Sequence, residues 1–159
     1  MRSVALAAAG LCLLSLPAQS ANVIFNGTVA DTCDLSVMVP ATGTMKLNGD
    51  HTILGSDQSG GAGVLLTIGS TGANTITVAA PTVTQSPAGY DPTGQQLHIG
   101  YTGASLLNGV SKTMGTGGGS FAAGILGITG STILIHARIV NSNGFKLGDY
   151  QLTSVVTCS

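Results

Sequence analysis

The sequence predicts an all-β protein folded as a two-sheet sandwich, and three observations lead there. Apolar residues alternate with polar ones in short runs, as in Val64, Leu66, Ile68 and again in Ile133, Ile135, Ala137, Ile139, which is the period of a half-buried strand. Turn-forming clusters such as Asn48-Gly49 and Asn141-Ser142-Asn143-Gly144 punctuate these runs. No long stretch after the first twenty residues carries helical periodicity. A sheet with one apolar face needs another layer to cover it, so a sandwich follows.

The elements follow in order. Met1-Arg2-Ser3 is a short basic start, Val4 to Leu16 is nearly all apolar, and Pro17-Ala18-Gln19-Ser20-Ala21 breaks the run with small residues. This order reads as a signal peptide over residues 1–20 with cleavage after Ser20. Cys12 stands behind Leu11 inside the run, which does not fit a lipoprotein anchor. Residues 21–159 suffice for one domain and are too few for two. The expected route is bacterial secretion through the periplasm, ending outside the cell or on its surface.

In the mature chain only Cys33 and Cys158 remain, and an oxidising compartment makes one disulfide the economical reading. Free or intermolecular thiols are the alternative. Val23, Phe25, Gly27, Val29, Asp31 and Cys33 share one face of an extended opening strand, and Tyr150, Leu152, Ser154, Val156 and Cys158 share one face of the closing strand. Between them, Met45 and Leu47 flank Lys46, and Val64–Ile68 and Ile76–Val78 read as adjacent strands across a glycine-containing loop. Residues Pro81 to Gln95 read as a loop with room for one short strand. Gln96 to Thr102 forms a strand, the glycine-rich stretch Thr113 to Ser120 a surface loop, and Phe121 to Ile128 either a strand or a short helical segment. The total is seven to nine strands.

Composition excludes several functions. Charged residues make up 7% of the chain and glutamate is absent, so there is no concentrated positive surface for nucleic acid. His51, His98 and His136 are far apart in sequence and none has a metal-ligand spacing. Asp50, Asp57 and Asp91 form no calcium loop, Asp31 and Asp34 lack a partner for acid–base work, and Ser56, Ser59 and Ser70 lack a nucleophile elbow. No catalytic residue, metal or cofactor is expected, and the chain reads as a non-enzyme. Tyr90, in Gly89-Tyr90-Asp91-Pro92, is the candidate aromatic platform for a glycan, whereas Tyr150 is expected to pack at a sheet boundary.

The two ends also carry a family resemblance. Val23-Ile24-Phe25-Asn26-Gly27-Thr28-Val29 followed by Cys33 resembles the opening strand of bacterial chaperone–usher fimbrial subunits. Ile133–Arg138, Phe145–Tyr150 and the alternating end resemble their closing half and that of related pilin-like β domains. The resemblance implies an immunoglobulin-like or pilin-like sandwich lacking one strand, whose groove is filled first by a periplasmic chaperone and then, at an outer-membrane usher, by a strand of another subunit. Val23, Phe25, Val29, Tyr150, Leu152 and Val156 would then lie in the assembly strands, with identical or homologous subunits as partners. It points to a structural subunit, minor or terminal, of a surface filament. A secreted matrix protein or a glycan-binding adhesin module is the alternative. A start near Val23 leaves little spare chain to donate, and Thr157-Cys158-Ser159 stands where many fimbrial subunits carry a penultimate tyrosine.

Overall fold

The computed structural model describes residues 32–37, 42–123 and 128–159. The expected signal peptide and the expected strand Val23–Val29 lie outside them. Within them the chain is all-β and antiparallel, with twelve strands in a sandwich-like arrangement.

The first layer is a seven-stranded sheet of β1 (Thr32–Val37), β2 (Lys46–Leu47), β3 (Ile53–Gly55), β4 (Val64–Thr71), β7 (Gln96–Ala104), β8 (Ser111–Thr116) and β10 (Ile128–Val140). Its spine is β10, rich in the β-branched residues that suit a pleated surface. Along one edge β10 pairs β7 from Thr132 to Val140, and β8 pairs β7 in turn. Along the other edge β10 meets β4 as far as Ile135 and then β3 from Arg138. Ser56 bridges the junction: its backbone N–H donates to the Ala137 carbonyl at 2.9 Å, and its Oγ accepts the Ala137 N–H at 3.0 Å.

The second layer consists of β5 (Thr75–Val78) between β9 (Gly119–Ala122) and β12 (Val156–Cys158), continued by β6 (Thr82–Gln85) paired with β11 (Gln151–Thr153). Burial follows strand parity. Ile68, Ile99, Ile133 and Ile139 of the first sheet and Ile76 and Val78 of the second are fully enclosed, and all but Ile139 fall in one core cluster with Leu66, Tyr101 and Leu107. Each such side chain contributes about 1.5–3 kcal/mol.

Three sequence expectations are corrected here, the first being the strand count, since twelve strands among the described residues stand where seven to nine were expected. β4 and β5 are not paired neighbours, because β4 pairs β1 and β10 while β5 pairs β12 and β9. The short link Gly72–Asn74 therefore crosses from one layer to the other. Likewise Thr113 to Ser120 is not a loop: it holds most of β8 and the start of β9, which belong to opposite layers. The crossing is made at Gly117, with φ +79°, and at Gly118, where a Cβ would run into the Val78 carbonyl and lie 2.9 Å from the Ala80 nitrogen.

The disulfide expectation is met. Cys33 of β1 is bonded to Cys158 of β12, with Cα atoms 6.2 Å apart, and so ties the edge of one sheet to the edge of the other.

Candidate functional site

The closing segment alternates as the sequence suggests, with Tyr150, Leu152, Ser154, Val156 and Cys158 half-buried and the residues between them exposed. It is not one continuous strand. Around Ser154 and Val155 the ladder breaks into β11 and β12, and the break is closed by the Ala79 N–H donating to the Val155 carbonyl at 2.8 Å and Ser154 Oγ donating to the Ala79 carbonyl at 2.7 Å. On their other side, β11 and β12 pair with no strand among the described residues.

Beside that unpaired edge lies a cavity of about 660 Å³. Its apolar floor comes from the inward faces of β3, β4, β7 and β10 through Leu54, Val64, Leu66, Ile99, Ile135 and Ala137. Leu152 and Val156 close it from the second layer, and among the described residues Asp149 is its one charged lining residue. The cavity thus joins a row of apolar side chains to a free strand edge.

The ends of this edge are fixed differently. At one end Cys158 is held by the disulfide. At the other, Tyr150 is clasped by its own loop: its O–H donates to the Lys146 carbonyl and accepts the Lys146 N–H, both at 3.0 Å. Burial raises the Tyr150 phenol above its ordinary pKa, against the lowering effect of the Lys146 backbone hydrogen bond. The Tyr150 ring meets Phe145 and Tyr90 edge-on at 5.5 and 5.2 Å, and Tyr90 stacks on Phe145 at 6.0 Å.

Tyr90, the glycan-platform candidate, is half-buried in this cluster. Its hydroxyl donates to Gln95 Oε1 at 3.0 Å and accepts from Asn141 Nδ2 at 2.9 Å. Asn141 is fully buried, and it also donates to the Asp91 carbonyl and accepts from the Asn143 N–H. A smaller cavity of about 350 Å³ follows, lined by Leu47, Leu54, Phe145, Lys146, Leu147, Gly148 and Tyr150. It shares Leu54, Gly148 and Tyr150 with the larger one.

Sequence reading missed one pairing. Ser56 Oγ lies 3.2 Å from His136 Nδ1 and donates to the Ala137 carbonyl at 3.2 Å. Asp57 turns instead to Arg138, at 3.0 Å. The serine hydroxyl is thus occupied as a clamp between β3 and β10, and the nearby carboxylate does not orient the imidazole. Residues 80 apart come together here, a pairing that no local pattern announces. Among the described residues no group of three or more His, Cys, Asp or Glu is placed to hold a metal ion.

What this arrangement can do is accept an extended segment. The edge of β11 and β12 can hydrogen-bond a peptide backbone while alternate side chains enter the apolar groove. Of the expected assembly residues, Tyr150, Leu152 and Val156 all line the groove, whereas Val23, Phe25 and Val29 lie outside the described residues. No family model matches the chain, and neither a curated protein nor a solved structure does.

Proposed function

We propose that this chain is a structural subunit, minor or terminal, of a bacterial surface filament, with a pilin-like fold that is completed by a strand from another subunit. One observation carries the reading: the 660 Å³ groove, with its apolar floor, runs beside an edge of β11 and β12 that pairs with no strand among the described residues. The proposed occupant is Val23–Val29 of a second copy, in which Val23, Phe25, Gly27 and Val29 share one face of an extended segment and Ile24, Asn26 and Thr28 the other.

Within one chain, residues 21–31 run directly into Thr32, one residue before the bridge from Cys33 to β12, and self-filling by that same segment is the alternative. Export through the periplasm, a chaperone holding the groove before assembly, and an outer-membrane usher belong to the same reading.

Burying Val23, Phe25 and Val29 contributes on the order of 5–9 kcal/mol before ordering costs, so a free peptide is expected to bind no more tightly than about micromolar. The test is titration of the purified chain, lacking residues 1–31, with a synthetic peptide spanning residues 22–31. Binding should protect the amides of Gln151–Val156 from hydrogen exchange, and a peptide with F25D and V29D should not bind. Equal binding of both peptides, or protection elsewhere, refutes the reading.

A further inference from the structure

The outward face of the second sheet is chemically unlike the rest of the surface. β5, β6, β9, β11 and β12 read TITV, TVTQ, GSFA, QLT and VTC, with no charged residue in any of them. Their inward positions are apolar, and their outward, exposed positions are Thr75, Thr77, Thr82, Thr84, Thr153 and Thr157. Ser120 and Gln151 extend the same face. By contrast, the outward face of the first sheet carries His98, His136 and the Arg138–Asp57 ion pair.

These hydroxyls are in register. Thr157 stands opposite Thr77, and Thr77 opposite Ser120, giving a row across three strands at about 4.8 Å intervals. Thr82 stands opposite Thr153, and the Thr153 and Thr84 hydroxyls lie 3.1 Å apart.

We propose that this threonine face pairs with the same face of a second copy, so that filaments associate side by side. A two-fold contact sets each patch against its own kind. Lysine meeting lysine or aspartate meeting aspartate would repel, whereas a hydroxyl or carboxamide both donates and accepts and so satisfies its equivalent. Threonine, serine and glutamine are the polar side chains here. The absence of charge also removes the usual device that keeps exposed sheets apart.

Size sets the strength. Thr75 to Gln85 spans roughly 36 Å, and two to three strands give a patch of roughly 400 Å². That is about half of what each partner contributes to a stable dimer. Two single domains should therefore pair only in the millimolar range, while two filaments holding many such faces in line gain by multivalency. The side-by-side contact rests on the filament reading, but the face-to-face pairing itself does not.

The experiment compares the secreted chain with a T77K/T84K variant, which places charge on the face without touching the groove lining. T67K, on the outward face of the first sheet, serves as control. In electron micrographs the wild type and T67K should form paired or bundled filaments, and T77K/T84K single filaments of unchanged length. In sedimentation equilibrium of unassembled protein, T77K/T84K should dimerise at least tenfold more weakly than the wild type. If no filament forms, the filament reading falls and sedimentation alone decides the pairing. Equal bundling and equal dimerisation in all three proteins overturns the proposal. So does retention on a neutral polysaccharide that T77K/T84K loses while self-association is unchanged.

Discussion

Removing both cysteines, as C33A/C158A, tests how the two layers are held. The bridge spans 125 residues of sequence, and the chain-entropy relation for a loop of that length gives about 5 kcal/mol at 25 °C. Native strain and residual unfolded structure lower this, so the expected loss is about 3–5 kcal/mol, a large share of a typical stability of about 5–15 kcal/mol. In urea, with a slope of roughly 1.5 kcal/mol per M, the midpoint should fall by about 2–3 M. The loss should be uneven. β12 is held to β5 only over the short span Val155 to Ser159, so the amides of Val156, Thr157 and Cys158 should exchange with solvent faster than those of Ile133–Ile139. A midpoint shift below about 0.5 M, or uniform exchange, would refute the claim that the bridge anchors the closing strand.

Two further outcomes follow. N141A removes a fully buried side chain that serves Tyr90, Asp91 and Asn143 at once, and should cost about 2–4 kcal/mol in urea unfolding, with the near-ultraviolet tyrosine signal reduced; Y90F should cost about 1 kcal/mol. His98 has its pKa lowered first by burial and then by Arg138 and Lys112, so between its folded pKa and about 6.5 the unfolded chain binds more protons. Stability from this group is present above that range and is lost as pH falls through the folded pKa; H98Q should flatten this part of a stability–pH profile measured between pH 5 and 8.

How far the sequence could be read depends on whether the deciding contacts are local. The parity of Tyr150 to Cys158 is set by the pleat, and it survives even where the ladder breaks at Ser154. The cysteine pairing was legible because, beyond residue 20, no other cysteine competes. The layer crossings after β4 and β8 were not, because a glycine link that turns a hairpin and one that passes between sheets have the same local composition. Thr113–Ser120 looked like a loop for that reason, though Gly118 is required by its approach to Val78. Tyr90 sits in a turn-rich segment that reads as exposed, yet Phe145, Asn141 and Tyr150, more than 50 residues away, enclose it. Ser56 and His136 meet for the same non-local reason.

These distant contacts bear on why a groove persists at all. The space is open to solvent along one side, so it is filled by water or by chain. Water held in a cavity needs two to four polar partners; Ser56, Asp149, Gln151, Thr153 and Ser154 offer them along part of the lining, whereas Leu54, Val64, Leu66, Ile135, Leu152 and Val156 offer none. Collapse is the other escape, and the clasped ends oppose it: the disulfide holds Cys158, and Tyr150 is locked by Lys146 and the Tyr90–Phe145 pair. A space that the clasped ends hold open, bordered by a strand edge that pairs with no strand among the described residues, has the shape the proposed extended segment requires, and the same contacts that fix Cys158 and Tyr150 keep it available.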